Sequence, residues 1–517
     1  MPSIPDEIWH NVFSFFQCHL PQDNWWMYGM QIDRGPTSPP QALLSLSLVC
    51  KRFRRIAQPL IYRTILLEGR DDSIERQISL AKTLVSAPQL GLNTRVVTLN
   101  DALNDDLKYG SDKAYYKYQD ILNSAWRSFD SPPAFKKCLE EELGRGDEVG
   151  LATFLLALMP NVRLVDLTSY ATTRSLLWLL SGRQEMTRAM FLRRTRKKTG
   201  RVHGSDDNDT DIAKHDDDQG LSQGVANYVY GNYGLTHLEE VRIRLADLSA
   251  FPISIDDLEP ALLHPRLKKL RLYGDMWLKN NIQKLKLPDE PWNLEYLEVK
   301  ESLFTHSSLK SILTHCKSLK SLSMEMASFQ KDSQDDEGPW HLDLVRFGDV
   351  LRELGQDLET LDLDILGGTN SECKRRLGSL AQLKSLRHLG IHVGILVPWQ
   401  DGVGPDTILA GVLPESLQSV HLRWDANLYY DNVAKRYRDR VDLALVQFLT
   451  GNQFPNMRRI TIERSESKRM NEFDGKVDGW VVHEVTHKPA WKTLDPEEDM
   501  RIFVTMYRQD SSCCTDE

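Results

Sequence analysis

The stretch LKKLRL, residues 267–272, decides how the rest of this chain is read. Leu267, Leu270 and Leu272 are separated first by two spacers and then by one. From Lys269 onward polar and apolar residues alternate, as in a strand with one buried face. The same spacing recurs in VRLVDL (Val162, Val165, Leu167), LEEVRI (Leu238, Val241, Ile243), LEYLEV (Leu294), LKSLSM (Leu319) and LETLDL (Leu358). It continues in LRHLGI (Leu386), LQSVHL (Leu417) and MRRITI (Met457), with a weaker copy, TRVVTL, from Thr94. The better copies lie roughly 25 to 40 residues apart, a period at which solenoid repeats occur. Amphipathic helices are expected between them at SSLKSILTHC, LVRFGDVLREL and VDLALVQFL.

This arrangement resembles an irregular leucine-rich repeat. In such a unit a short strand lies on one face and a helix on the other, and only stacking buries the leucines between units. Because strand side chains alternate, the spacers should face the open, concave side. In order they are Arg242, Arg244, Lys269, Arg271, Tyr273, Tyr296, Glu298, Lys300, Ser321, Ser323 and Glu325. Thr360, Asp362, Asp364, His388, His392, His421, Arg423, Arg459 and Glu463 follow. This order gives a basic sector, an acidic middle and a His/Arg sector, expected to hold a protein of complementary charge. The residues assigned to that role are Arg242, Arg244, Arg271, Tyr273, Tyr296, Asp362, Asp364, His392 and Arg423. A solvated face with no ligand is the alternative.

The amino end reads differently. SIPDEIWHNVFSFF is expected to be an amphipathic helix, with Pro5 in its first turn and Asp6 and Glu7 at the positive end of the dipole. Ile8, Trp9, Val12, Phe13 and Phe16 form its apolar stripe. QALLSLSLVCKRFRRIAQPLIYRTI offers a second helix with Leu44 and Leu48 on one face. A third carries Phe53, Ile56, Ala57 and Leu60 and keeps Lys51, Arg52, Arg54 and Arg55 wet. Helices this short hold more apolar surface than a unit of ~40 residues hides, which implies a partner's surface.

The run from Ile4 to Trp9, the helix ending at Phe16, and then SLSLVCKRFRRIA and PLIYRTI resemble an F-box of the form common in fungal proteins. The resemblance implies binding to a Skp-family adaptor and, through it, to the cullin scaffold of an SCF ubiquitin ligase. Pro5, Ile8, Val12, Phe13, Leu44, Leu48, Val49, Cys50 and Phe53 match the apolar adaptor-facing or core positions. The link CHLPQDNWWMYGMQIDRGPTSPP is longer than that family usually has. The expected fold is therefore α/β: a three-helix F-box at 1–65, then a leucine-rich-repeat solenoid at 66–465. Parallel strands would line its concave face and helices its convex face. Disordered, charged insertions are expected near 191–224 and 330–340, and a capping segment and tail at 466–517.

Bulk properties narrow the function classes. A formal charge of −9 argues against a dedicated nucleic-acid binder. The 41% hydrophobic content, with a mean hydropathy of −0.42, suits a soluble folded chain. Seven cysteines without CxxC spacing suggest a reducing compartment, cytoplasmic or nuclear. No apolar run approaches the ~20 residues of a membrane span. The closing CTDE lacks the aliphatic residues of a prenylation signal.

One motif argues for an enzyme. HEVTH, His483–His487, has the spacing of zinc proteases, in which two histidines on a helix share a metal. GWVVHEV alternates as a strand does, and Pro489 stops any helix there. No phosphate loop, nucleophile elbow or dinucleotide fingerprint is present. The expectation is a non-catalytic subunit with no metal and no cofactor, recognising substrate for a ligase. A scaffold using the same surfaces without ligase activity is the alternative.

Overall fold

The computed structural model describes residues 4–17, 41–68, 73–100, 131, 133–144, 148–168, 174–181, 234–244, 255–274, 276–277, 282, 285, 290–326, 343–365, 376–396, 409–424, 446–451, 453–465, 479–487 and 501–509. Three helices come first: α1 (Asp6–Ser14), α2 (Gln41–Val49) and α3 (Lys51–Ile61). Strands and helices then alternate as β1 (Thr64–Glu68), α4 (Ser73–Ser86), α5 (Pro88–Gly91), β2 (Val96–Asn100), α6 (Pro133–Gly144), α7 (Glu148–Ala157), β3 (Leu164–Thr168) and α8 (Arg174–Leu180). Next come β4 (Glu240–Arg244), α9 (Ile255–Leu262), β5 (Lys269–Tyr273), β6 (Met276–Trp277), β7 (Tyr296–Phe304), α10 (His306–His315) and β8 (Ser321–Met326). The chain closes with α11 (Leu344–Leu354), β9 (Thr360–Ile365), β10 (His388–His392), α12 (Val393–Leu396), β11 (Ser419–Trp424), β12 (Arg459–Ser465), β13 (Trp480–His487) and β14 (Arg501–Arg508).

The strands form a long sheet in the order β1-β2-β3-β4-β5-β7-β8-β9-β10-β11-β12-β14-β13, with β6 beside β7. From β1 to β12 the pairing is parallel, which demands a crossover between neighbours. β14 then runs antiparallel to β12, and β13 antiparallel to β14. Register turns the sequence repeat into columns. Val241, Leu270, Leu297, Leu322, Leu361, Leu389, Val420 and Ile460 stand abreast, and all are buried. Each such side chain contributes about 1.5–3 kcal/mol relative to exposure.

The turns before the strands repeat as closely as the strands. In most units the amide of the first anchor closes a turn onto the carbonyl three residues back: Leu267 to His264, Leu319 to Cys316, Leu386 to Leu383 and Met457 to Phe454. The two residues inside each turn are pushed out to the rim. Then two successive amides share one carbonyl of the preceding unit. Lys268 and Lys269 donate to Glu239, at 2.9 and 3.0 Å, and Glu359 and Thr360 donate to Lys320, at 2.8 and 2.9 Å. Backbone groups at the strand entries are thus satisfied in the same way at β2–β5 and β7–β12.

Helix ends are fixed locally. The Thr305 hydroxyl caps α10 by accepting from the Ser308 amide at 3.2 Å, and Asp343 caps α11 from Arg346 at 3.2 Å. α11 lies close to the following segment because Gly348 has no side chain. A Cβ there would stand 2.0 Å from the Leu377 carbonyl oxygen.

The sequence reading located most strands but not their limits. The boundary expected after residue 65 falls inside β1, so the first three helices run into the sheet within a few residues. The tail segment adds β13 and β14 to the sheet's last parallel strand. The expected insertions at 191–224 and 330–340 lie outside the described residues.

Candidate functional site

The helical module at the front has its own small core. Phe13, Leu43, Ile56, Ala57 and Leu60 are buried, with Trp9, Leu46, Phe53 and Ile61 packed around them. The Phe13 and Phe53 rings meet edge to face at 5.2 Å, and Trp9 lies 4.9 Å from Phe53. Asp6 fastens α1 to α3, accepting from Arg52 Nε at 2.6 Å and from Arg55. These bonds hold its carboxyl below the usual carboxylate range. Cys50 Sγ accepts the Phe53 amide at 3.4 Å and so caps α3.

What this core leaves outside is apolar. Leu48 is 86% exposed, Phe15 83% and Val49 66%, and Ile4, Ile8, Val12, Phe16 and Leu44 are also exposed. Among the expected adaptor-facing residues, Pro5, Ile8, Val12, Leu44, Leu48, Val49 and Cys50 lie on the surface. Phe13, at 1% exposure, belongs to the core, and Phe53 packs against it. Ile4, Phe15 and Phe16 add to the surface set. The core leucine of α2 is Leu43, which sequence reading did not single out because α2 is apolar on nearly every side. The link at 18–40 lies outside the described residues.

The spacer columns of the sheet hold a second constellation, and it is not an open charged face. Arg242 and Arg244 are 0% exposed, and Arg271, Glu298, Glu325, His392 and Glu463 are buried. Arg244 Nη2 pairs with Asp166 at 2.7 Å, one strand away. Arg242 Nε pairs with Glu240 at 2.7 Å, and Arg271 reaches Glu240 at 3.2 Å and Glu298 at 3.3 Å. The Arg271 guanidinium also lies 5.1 Å over the Tyr296 ring, whose hydroxyl donates to Glu298 at 2.9 Å. Tyr273 donates to Glu301 at 2.7 Å. Burial, with these carboxylates close by, pushes both phenols up.

Further along, Arg423 pairs with Asp362 at 2.6 Å, Asp364 at 3.6 Å and Glu463 at 3.4 Å. His421 Nε2 lies 2.8 Å from Glu463. Burial alone would raise the Asp362 carboxyl, but Arg423 and Lys300 outweigh it and hold it well below the usual range. The expectation of solvent-facing side chains is corrected for Arg242, Arg244, Arg271, Tyr273 and His392, which are buried, while Tyr296, Asp362, Asp364 and Arg423 are part-buried. Arg242, Arg271 and Tyr296 form one connected set with the buried Glu240 and Glu298, Arg244 pairs with Asp166, Tyr273 with Glu301, and Asp362, Asp364 and Arg423 form a further set. Glu240 and Asp166, absent from the expected set, supply the partners of Arg242 and Arg271 and of Arg244 respectively. In buried pairs of this kind desolvation offsets much of the attraction.

HEVTH lies in β13, with His483 opposite Thr505 and His487 opposite Arg501. At a strand rise of ~3.3 Å per residue the two histidines are ~13 Å apart along the backbone. Among the described residues no group of three His, Cys, Asp or Glu is placed to hold a metal ion. Nor is any described helix long and apolar enough to cross a membrane.

Comparison with known families gives one result. The F-box-like family model matches residues 1–68, which spans the helical module and β1. F-box domains generally bind Skp-type adaptors. No curated protein matches the chain.

Proposed function

We propose that this chain is the substrate-recognition subunit of an SCF-type ubiquitin ligase. Its F-box-like domain docks on a Skp-family adaptor, and the adaptor joins it to a cullin. The parallel sheet is read as a leucine-rich-repeat solenoid that presents a bound protein. The observation that carries this reading is the apolar surface of Ile8, Val12, Leu44, Leu48 and Val49, exposed on a module that matches the F-box-like family. Such a surface favours the helices of a partner over water.

The chain itself supplies no chemistry in this reading. It acts by proximity, raising the local concentration of a substrate lysine beside the charged ubiquitin carrier. Direct entry of α3 into β1 supports that role, because a short junction limits the positions a bound protein can take. A cytoplasmic or nuclear setting is part of the proposal. Affinity purification of the tagged full chain tests it. A substrate receptor brings down adaptor and cullin, and at least one co-purifying protein accumulates when cullin is inhibited. Adaptor without cullin would favour a scaffold, and neither would overturn the reading.

A further inference from the structure

Between β8 and β12 the rim turns enclose an open groove of ≈ 670 Å³. The repeat itself builds it. Each turn pushes its inner residues outward, and the residue just before each strand stands beside them. In the β8 unit these positions hold Lys317 and Lys320, in the β9 unit Asp357 and Glu359, and in the β10 unit Lys384 and Arg387. Two cationic units thus flank an acidic one, and the groove's lining beyond is neutral at Ser416, Gln418 and Asn456.

The charges are available for a ligand. Lys317, Lys384, Arg387 and Asp357 are exposed and make no ion pair among the described residues. Lys320 pairs with Glu359 at 3.5 Å, but both side chains are more than a third exposed, and such surface pairs exchange readily. The described part of the groove carries two more cations than anions, in a chain whose net charge is −9.

We propose that this groove binds an extended acidic segment of a partner protein, with two acidic residues three positions apart. The spacing follows from the sheet. The cationic units are two strands apart, about 10 Å at ~4.8 Å per strand. In a polyproline II segment, residues three apart point the same way and lie ~9.3 Å apart. Asp357 and Glu359, standing between the cations, repel a continuous polyanion, so the groove selects a spaced pair of acids over nucleic acid. The inference rests on the substrate-receptor reading for the partner being a substrate, but not for binding itself.

The test uses the full chain without adaptor. Fluorescence anisotropy follows a labelled, proline-flanked peptide carrying two glutamates three residues apart. The expected result is saturable binding, weakened about tenfold when the glutamates are made adjacent and at least as much in K317E/K384E. Thermal unfolding of that variant should match the parent, since both lysines are exposed. Equal binding by parent and variant, no binding by the parent, or displacement by single-stranded RNA at lower concentration than by unlabelled peptide would each overturn the proposal. Adaptor co-purification is read separately, so loss of one activity is not mistaken for loss of the other.

Discussion

Arg423 on β11 reaches Asp362 on β9 across the strand that lies between them, with Nη1 and Oδ1 2.6 Å apart. The reach is possible because the intervening position, in register with both His421 and Asp362, is Gly390. A Cβ at Gly390 would stand 2.3 Å from Asp362 Oδ1 and 3.5 Å from Arg423 Nη1. G390A should therefore destabilise the chain by roughly 1–3 kcal/mol, as overpacking does. Urea denaturation of parent and variant measures it.

The same pair gives a double-mutant cycle. R423M takes from the part-buried Asp362 its 2.6 Å partner and should cost roughly 2–4 kcal/mol, whereas D362L should cost less, because Arg423 keeps Asp364 and Glu463. Together they should recover part of that loss. Asp362 has a depressed carboxyl, so its contribution is full above the ordinary value of 3.8 and is lost as the pH falls below it. Chemical unfolding of the four proteins, repeated at acid pH, tests both points.

His264 sets a second pH dependence. It is fully buried, with Nε2 3.0 Å from the Leu235 carbonyl oxygen and Nδ1 accepting the Arg266 amide at 3.0 Å. Burial lowers its pKa from 6.5 to about 4, although the Leu235 bond opposes the shift. Between those values the unfolded chain takes up a proton that the folded chain does not. Stability should fall as pH drops from 6.5 towards about 4, by about 3 kcal/mol in all, and this contribution should level off below. In H264Q the slope in that window should shrink relative to the parent.

The front module separates core from surface. F13A should cost about 3–5 kcal/mol of that module's stability, since Phe13 is enclosed by Trp9 and Phe53. L48E should cost little, because Leu48 stands in water. Hydrogen exchange over α1–α3 reads both, with faster exchange expected only for F13A.

Most of the sheet was legible because a strand with one buried face must alternate, and its turn must offer an apolar anchor. β1 escaped because TILLE places Ile65, Leu66 and Leu67 in succession. β14 escaped because an antiparallel strand has no such anchor before it. The charged columns were located correctly along the strands but not in depth. Alternation tells which side of a sheet Arg242 occupies, not whether that side is wet. Gly390 shows the same limit: its meaning appears only when Asp362 and Arg423 are brought to either side of it.

The central claim is that apolar side chains left outside a well-packed helical module are there to meet an adaptor. Binding of a purified Skp-family adaptor to the full chain, measured by calorimetry for the parent and for I8E/L48E, tests it most directly. Saturable binding by the parent, lost in a variant that unfolds at the parent's temperature, is the expected result. Equal binding by both, or none by the parent, would contradict the claim.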